Sequence, residues 1–197
     1  MPVFLKRRQD LLPPGYTRME YTEYVSEGGR ISWGITDYKP CALTEIICET
    51  DYQPTADGSF LFGCRNAGKD RPFAIASYKN QMRFDYDESS EYFDSVPSGR
   101  YTLHIKDRNV YINGELKATV AYSGFFEKFR QSQVLYLFAC KEGSATTGVS
   151  PVPVGTKMWS FKIYEQGVLL RNYVPCIRDS DNMPGWYDTV NKTFVDL

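Results

Sequence analysis

Three carboxylates on one predicted strand are the first candidates for chemistry in this sequence. Glu45, Glu49 and Asp51 fall on one face of residues 42–52, because side chains alternate between the two faces of a strand. Glycoside hydrolysis requires two nearby carboxylates, one as an acid and one as a nucleophile or base. A third acid two residues further on is missing, since position 53 is Gln53. The sequence therefore favours a solvated outer face here over a catalytic pair.

Nucleophilic and metal chemistry have less support still. His104 is the only histidine, and it alternates with Thr102 and Lys106, which predicts an exposed ring. The sequence has no Gly-x-Ser-x-Gly turn and no glycine-rich phosphate loop. The five cysteines include no pair at C-x-x-C spacing, so we predict no metal site and no cofactor. We expect free thiols in a reducing compartment; one disulfide, such as Cys48–Cys64, is the alternative.

Acidic residues are concentrated at positions 85–94. Carboxylates and carbonyl oxygens clustered in this way can hold calcium. The spacing, however, does not match that of an EF-hand loop. We therefore expect a solvated loop, and calcium binding is the alternative.

Tyrosines beside predicted turns are candidates for stacking on sugar rings or on a protein neighbour. Aromatic residues make up 15% of the chain, so most of them are expected to pack in the core. Tyr52, Tyr78 and Tyr92 lie next to turn signals or the acidic run. We predict these three as ligand-binding residues.

Period-two patterns indicate that these side chains are carried by strands. Tyr101, Leu103 and Ile105 alternate with polar residues, and Met82, Phe84 and Tyr86 do the same. Residues 134–140 are apolar throughout and predict one central strand covered on both faces. Asn-Gly at 113–114 and other glycine turns separate about a dozen short strands, a pattern typical of a sandwich or barrel. The single helix candidate is short, residues 123–131.

Two features of the C-terminal third bear on the predicted core. Trp159, Phe161 and Ile163 alternate with polar residues, so we expect all three in the layer between two sheets. Arg171 lies among apolar residues and needs a carboxylate partner if it is buried. Asp188 is one candidate for that partner.

Charge and chain organisation exclude several classes of protein. The 23 basic and 24 acidic residues balance, which argues against a nucleic-acid binder. Lys6, Arg7 and Arg8 are followed by polar residues and prolines, not by the apolar segment of a signal peptide. No apolar run is long enough for membrane insertion. We predict an N-terminal arm at 1–15, one domain at 16–197 and folding in the cytoplasm; a frayed terminus is the alternative for the arm.

Several short motifs, in order along the chain, resemble the concanavalin A-like, laminin G-type jelly-roll domains of phage structural proteins and bacterial surface proteins. The resemblance covers roughly residues 11–195. It departs from the family pattern at residues 26–35, which puts in doubt any partner contact made there. The motifs that carry it are LPPGYTRMEY at 12–21, LFGCR at 61–65, VYING at 110–114, LYLFA at 135–139, WSFKIYEQGVLLRNYVPC at 159–176, GWYD at 185–188 and NKTF at 191–194.

The resemblance implies an all-β, two-sheet antiparallel jelly-roll sandwich with at most one short helix and no enzymatic residues. It further implies a non-enzymatic virion protein, such as a decoration, fibre or tail-associated part, assembled in the host cytoplasm. The expected partners are other virion proteins, reached through the arm residues Lys6, Arg7 and Arg8, and host-surface glycans. Symmetric self-assembly is a reasonable default. The alternatives are a carbohydrate-binding module at a bacterial surface and, with less support, a glycoside hydrolase.

Overall fold

Strands make up the regular structure of the described residues. The computed structural model describes residues 12–27, 30–31, 33–65, 72–94, 96–121, 131–143 and 150–197. These ranges contain no helix, so none of the described residues form an apolar helix that could span a bilayer. The arm residues Lys6, Arg7 and Arg8 and most of the helix candidate, residues 123–130, lie outside them. The strands in chain order are β1 Tyr16–Arg18, β2 Thr22–Glu23, β3 Ser26–Glu27, β4 Arg30–Ile31, β5 Gly34–Ile35, β6 Thr44–Thr50, β7 Ser59–Arg65, β8 Phe73–Tyr78, β9 Gln81–Tyr86, β10 Ser89–Phe93, β11 Tyr101–Lys106, β12 Asn109–Ile112, β13 Glu115–Thr119, β14 Tyr136–Leu137, β15 Cys140–Glu142, β16 Lys157–Glu165, β17 Val168–Arg178, β18 Met183–Asp188 and β19 Thr193–Asp196.

Two sheets form the sandwich. The large sheet has the order β13-β12-β11-β6-β16-β17-β18-β19, with β1 paired to β17 and β2 paired to β16. The small sheet has the order β10-β9-β8-β7-β14-β5. Neighbouring strands are antiparallel except for β15, which pairs with β7 in parallel. The predicted fold class, an all-β sandwich of two antiparallel sheets, is confirmed.

The core lies between the sheets, and the period-two patterns place its side chains there. Tyr101, Leu103 and Ile105 on β11 are buried, as the alternation predicted. Phe62 of the small sheet meets Phe161 of the large sheet edge to face, with ring centroids 5.1 Å apart. Aromatic contacts of this kind add to the apolar area that the sheets bury.

The apolar run at 134–140 is buried from Leu135 to Cys140, but it is not one strand. It forms β14 and β15, separated by Phe138 with a φ of 62°. A positive φ is incompatible with an extended strand. The Phe138 amide donates instead to the Leu61 carbonyl at 2.7 Å. The prediction of a single central strand is therefore wrong, although its burial was correct.

Strand β16 contains a bulge that changes which residue enters the core. The register against β6 shifts between Met158 and Ser160, so Trp159 is an extra residue. Met158 is fully buried, whereas Trp159 is half-buried on the outer face. Phe161 and Ile163 are fully buried as predicted. The prediction that Trp159 lies between the sheets is wrong because the bulge moves its side chain to the other face.

Arg171 is largely buried and is held by carboxylates, as its setting required. Its guanidinium donates to both carboxylate oxygens of Asp37, at 2.9 and 3.0 Å. The predicted partner Asp188 is also close, with Oδ2 at 3.6 Å from Nε. Asp37 is therefore the main partner, and the fully buried Asp188 also accepts a hydrogen bond from the Asn172 amide at 3.0 Å.

Candidate functional site

The acids on β6 share the outer face of the large sheet, where each has its own partner. Glu45 accepts from His104 Nε2 at 2.8 Å and pairs with Lys106 at 3.2 Å. Glu49 accepts from Arg100 Nε at 3.1 Å. Both acids are therefore engaged by basic side chains, which is not the arrangement of an acid and a free nucleophile that glycoside hydrolysis needs.

The third acid, Asp51, also has its own hydrogen-bond partner. The Oδ1 atom of Asp51 accepts a hydrogen bond from the Lys157 amide at 2.7 Å. This bond ties the end of β6 to the start of β16. The outer-face placement predicted for Glu45 and Glu49 is confirmed, although the Glu45 side chain is only 14% exposed.

The acidic run at 85–94 is a hairpin, not the solvated loop that was expected. Strands β9 and β10 contain most of it, and Asp85 and Asp87 are both buried. The Asp85 carboxylate accepts from Arg83 at 2.8 Å and from Ser90 Oγ at 2.6 Å. Within the described ranges, no group of three or more acids, histidines or cysteines is placed to hold a metal ion.

All five cysteines are free and buried, which confirms the predicted free thiols and excludes a Cys48–Cys64 disulfide. Burial raises the pKa of the Cys140 thiol to about 12 and that of the Cys176 thiol to about 11. Thiols that hold their protons at neutral pH are poor nucleophiles. These residues act as small apolar side chains.

Tyr52 does not have the position that ligand binding requires. Its side chain is fully buried, and its hydroxyl lies 2.7 Å from Ser59 Oγ. Burial raises the pKa of Tyr52 to about 12. The prediction for Tyr52 is wrong because the residue continues the inward series of Ile46 and Cys48 beyond the end of β6. Extending this two-residue alternation by one more step along the sequence could have predicted that Tyr52 is buried.

Tyr78 and Tyr92, here called the tyrosine pair, come together on the outer face of the small sheet. Tyr78 ends β8 and Tyr92 lies on β10, and their ring centroids are 6.4 Å apart. Each residue is 42% exposed. Lys79 lies over the Tyr78 ring, with Nζ 5.2 Å from its centroid. Ligand binding by these two residues stays a prediction.

A polar groove on the outer face of the large sheet was not predicted. Strands β16 and β17 pair from Phe161↔Tyr173 towards their hairpin end and then diverge. Beyond that point β16 and β17 form the two arms of a fork, and β1 and β2 lie between them. Strand β1 pairs with β17 at Arg18↔Cys176, and β2 pairs with β16 at Thr22↔Met158. Where the strands diverge lies a groove of about 350 Å³, here called the fork groove. It is lined mainly by Arg18, Glu20, Arg100, Trp159, Ser160 and Lys162.

Trp159 is fixed at the edge of the fork groove by contacts to both sides. The Arg100 guanidinium lies 4.9 Å from its ring centroid, and the Tyr21 ring lies at 5.5 Å. Lys157 in turn lies 4.5 Å from the Tyr21 centroid. Of this row, Trp159 and Arg100 line the groove itself. No signal in the sequence places these residues together, because the contacts depend on the pairing of β1 and β2 with distant strands.

Comparisons with known proteins add little to this geometry. No protein-family model matches the sequence, and no curated protein matches it. Among solved structures, the chain is similar to a Trypanosoma rangeli sialidase in complex with 2,3-difluorosialic acid, with a TM-score of 0.46 and 14% identity. The alignment covers 76% of this chain but only 27% of the sialidase chain. A similarity at this level carries no information about activity or ligand.

The tyrosine pair and the fork groove are therefore both suited to binding. The tyrosine pair presents two partly exposed rings on a rigid sheet, which suits stacking on a sugar or contact with a protein. The fork groove presents charged and hydroxyl groups around a concave space, which suits a polar ligand.

Proposed function

We propose that this chain is a non-enzymatic structural protein of a bacteriophage virion, and that its β sandwich binds a glycan or protein through the tyrosine pair. The observation that carries the binding role is the exposure of Tyr78 and Tyr92 side by side on one sheet face. Large rings contribute much of the energy of such contacts, because they bury apolar area while keeping a polar tip. The sequence resemblance to phage structural proteins supports the virion role.

The partners of the outer-face acids support a non-enzymatic role. Glu49, the strongest candidate for a catalytic acid, is paired with Arg100, and Glu45 is paired with His104 and Lys106. Each of these carboxylates is occupied by a basic side chain, so neither is free to contact a sugar as a catalytic acid or nucleophile would. A polysaccharide-hydrolysing activity that Glu49→Gln abolishes would contradict this part of the proposal.

Glycan-array binding tests the role of the tyrosine pair. Tyr78→Ala and Tyr92→Ala should each weaken binding about five- to tenfold, because each removes one stacking ring. Tyr111→Ala is the matched control, since Tyr111 lies on β12 in the other sheet and contacts His104. Binding that survives both variants, or that Tyr111→Ala weakens equally, would argue against the tyrosine pair.

The virion role has a separate test. Mass spectrometry of purified particles from the phage that encodes the chain should detect this polypeptide. Changing Lys6, Arg7 and Arg8 together to Gln should lower its incorporation, if the arm docks on a neighbouring subunit. Particles that lack the polypeptide would overturn the virion role, and recovery from a bacterial envelope would favour the surface-module alternative.

A further inference from the structure

The fork groove and the tyrosine pair lie on opposite sides of the sandwich. Tyr78 follows Ala74 and Ala76 on the outer face of the small sheet, since Phe73 and Ile75 between them point into the main core. Trp159, Ser160 and Lys162 lie on the outer face of the large sheet. The groove is therefore a second surface, and its role does not depend on the proposed function.

Strand pairing explains why this groove can receive a ligand. On the side of β16 that faces the fork, pairing with β2 stops at Met158 and pairing with β17 begins at Phe161. Trp159 and Ser160 thus have no paired residue across the fork. β-bulges like the one at Trp159 often occur next to binding sites, because they redirect a side chain. The groove volume of about 350 Å³ is within the range of small-ligand pockets.

The charges around the groove favour an anion. Three basic residues, Arg18, Arg100 and Lys162, line it against two acids, Glu20 and Glu49. The Arg100–Glu49 pair neutralises one of each. Lys162 is half-buried in β16, and no ion pair to it is found in the part of the chain that the structure describes. An ammonium in this position gains most from a ligand carboxylate, through a charge-assisted hydrogen bond.

We propose that the fork groove binds an acidic saccharide, with its carboxylate on Lys162 and its hydroxyl groups towards Ser160 and the edge of Trp159. Hydroxyl groups match the polar lining. The carboxylate matches the one lysine that lines the groove. The ring of Trp159, held between Arg100 and Tyr21, gives the ligand a fixed wall.

Titration of the full-length ¹⁵N-labelled chain with D-glucuronate, followed by NMR, tests this site. D-glucose is the matched probe, because it carries a hydroxymethyl group where glucuronate carries its carboxylate. The chain has three tryptophans, so the indole N–H of Trp159 can be assigned with a Trp159→Phe variant. Glucuronate should shift this resonance, and glucose at the same concentration should not.

Two lysine variants decide whether the shift reports the proposed site. Lys162→Gln should weaken glucuronate binding about tenfold, the loss expected for one charge-assisted hydrogen bond. Lys106→Gln removes the same charge from the same sheet face at a residue paired with Glu45, and it should change nothing. Tyr78→Ala should leave the shift intact, which separates this site from the tyrosine pair. The proposal is overturned if Trp159 does not respond to glucuronate, responds equally to glucose or responds unchanged in Lys162→Gln.

Discussion

Met158 and Trp159 are neighbours in the chain, but they lie in different environments. Met158 is fully buried between the sheets, whereas Trp159 lies on the outer face against Tyr21 and Arg100. Truncating a buried side chain loses its transfer free energy and leaves a cavity. Truncating an outer-face ring loses only its contacts with neighbours. The smaller of the two residues should therefore matter more for stability.

We expect Met158→Ala to lower the free energy of unfolding by about 2–5 kcal/mol. Trp159→Ala should lower it by about 1–2 kcal/mol, the sum of one ring contact and one cation–π contact. Urea denaturation of the two variants beside the parent chain measures both values. The reverse order would mean that Trp159, not Met158, packs between the sheets.

Individual residues show where the sequence pattern predicted burial correctly and where it did not. The period of two placed Phe161 and Ile163 in the core correctly, because their strand is regular there. It failed at Trp159, since a bulge leaves no clear trace in the sequence. For the candidate site, exposure of Tyr78 was anticipated, but its contact with Tyr92 depends on the pairing of β9 with both β8 and β10.

At the level of elements, local turns were predictable and long-range pairings were not. Asn113 and Gly114 have φ values of 51° and 83°, the left-handed conformation that Asn-Gly readily adopts in a hairpin. The fork between β16 and β17 is different. It exists because β1 and β2, more than 130 residues earlier, pair with those strands at Arg18↔Cys176 and Thr22↔Met158. A local pattern contains no information about such a pairing, so the groove was missed.

Gly185 is essential to the last strand pair for steric reasons. A Cβ atom at this position would lie 2.2 Å from the Val195 carbonyl oxygen and 2.7 Å from the Phe194 ring. Both β18 and β19 would have to move to accommodate it. Overpacking of this kind costs about 1–3 kcal/mol, and a clash with backbone lies at the upper end.

The Gly185→Ala variant should therefore lose about 3 kcal/mol of stability and the protection of the β18–β19 amides against hydrogen exchange. Gly114→Ala is the comparison, because a Cβ atom there meets nothing within 4 Å. Its cost should be about 1 kcal/mol, from the positive φ alone. Equal losses in the two variants would show that β18 and β19 can separate without cost.

The packing of the two sheets buries several ionisable side chains. All five thiols are buried, and Tyr52 and Tyr173 are fully enclosed between the sheets. Burial raises the pKa of four of these side chains, because the charged form loses its hydration: Cys140 and Tyr52 to about 12, Cys176 to about 11 and Tyr173 in the same direction. The sequence predicted free thiols, whereas their enclosure follows from the two-sheet packing.

These raised pKa values predict that stability falls at alkaline pH. Well below pH 8.5, the usual pKa of a cysteine, the Cys140 and Cys176 thiols are protonated in both states, so they make no pH-dependent contribution. Above pH 9 the unfolded chain releases these protons while the folded chain keeps them, and the free energy of unfolding declines by about 1.4 kcal/mol per pH unit for each such thiol. For Cys176 the decline ends near its folded pKa of about 11. Urea denaturation between pH 8 and pH 10.5 should show it. Cys176→Ser replaces the thiol by a hydroxyl that does not ionise in this pH range, so it should reduce the slope by about 1.4 kcal/mol per pH unit. A flat profile for the parent chain would mean that the thiols reach solvent in the folded protein.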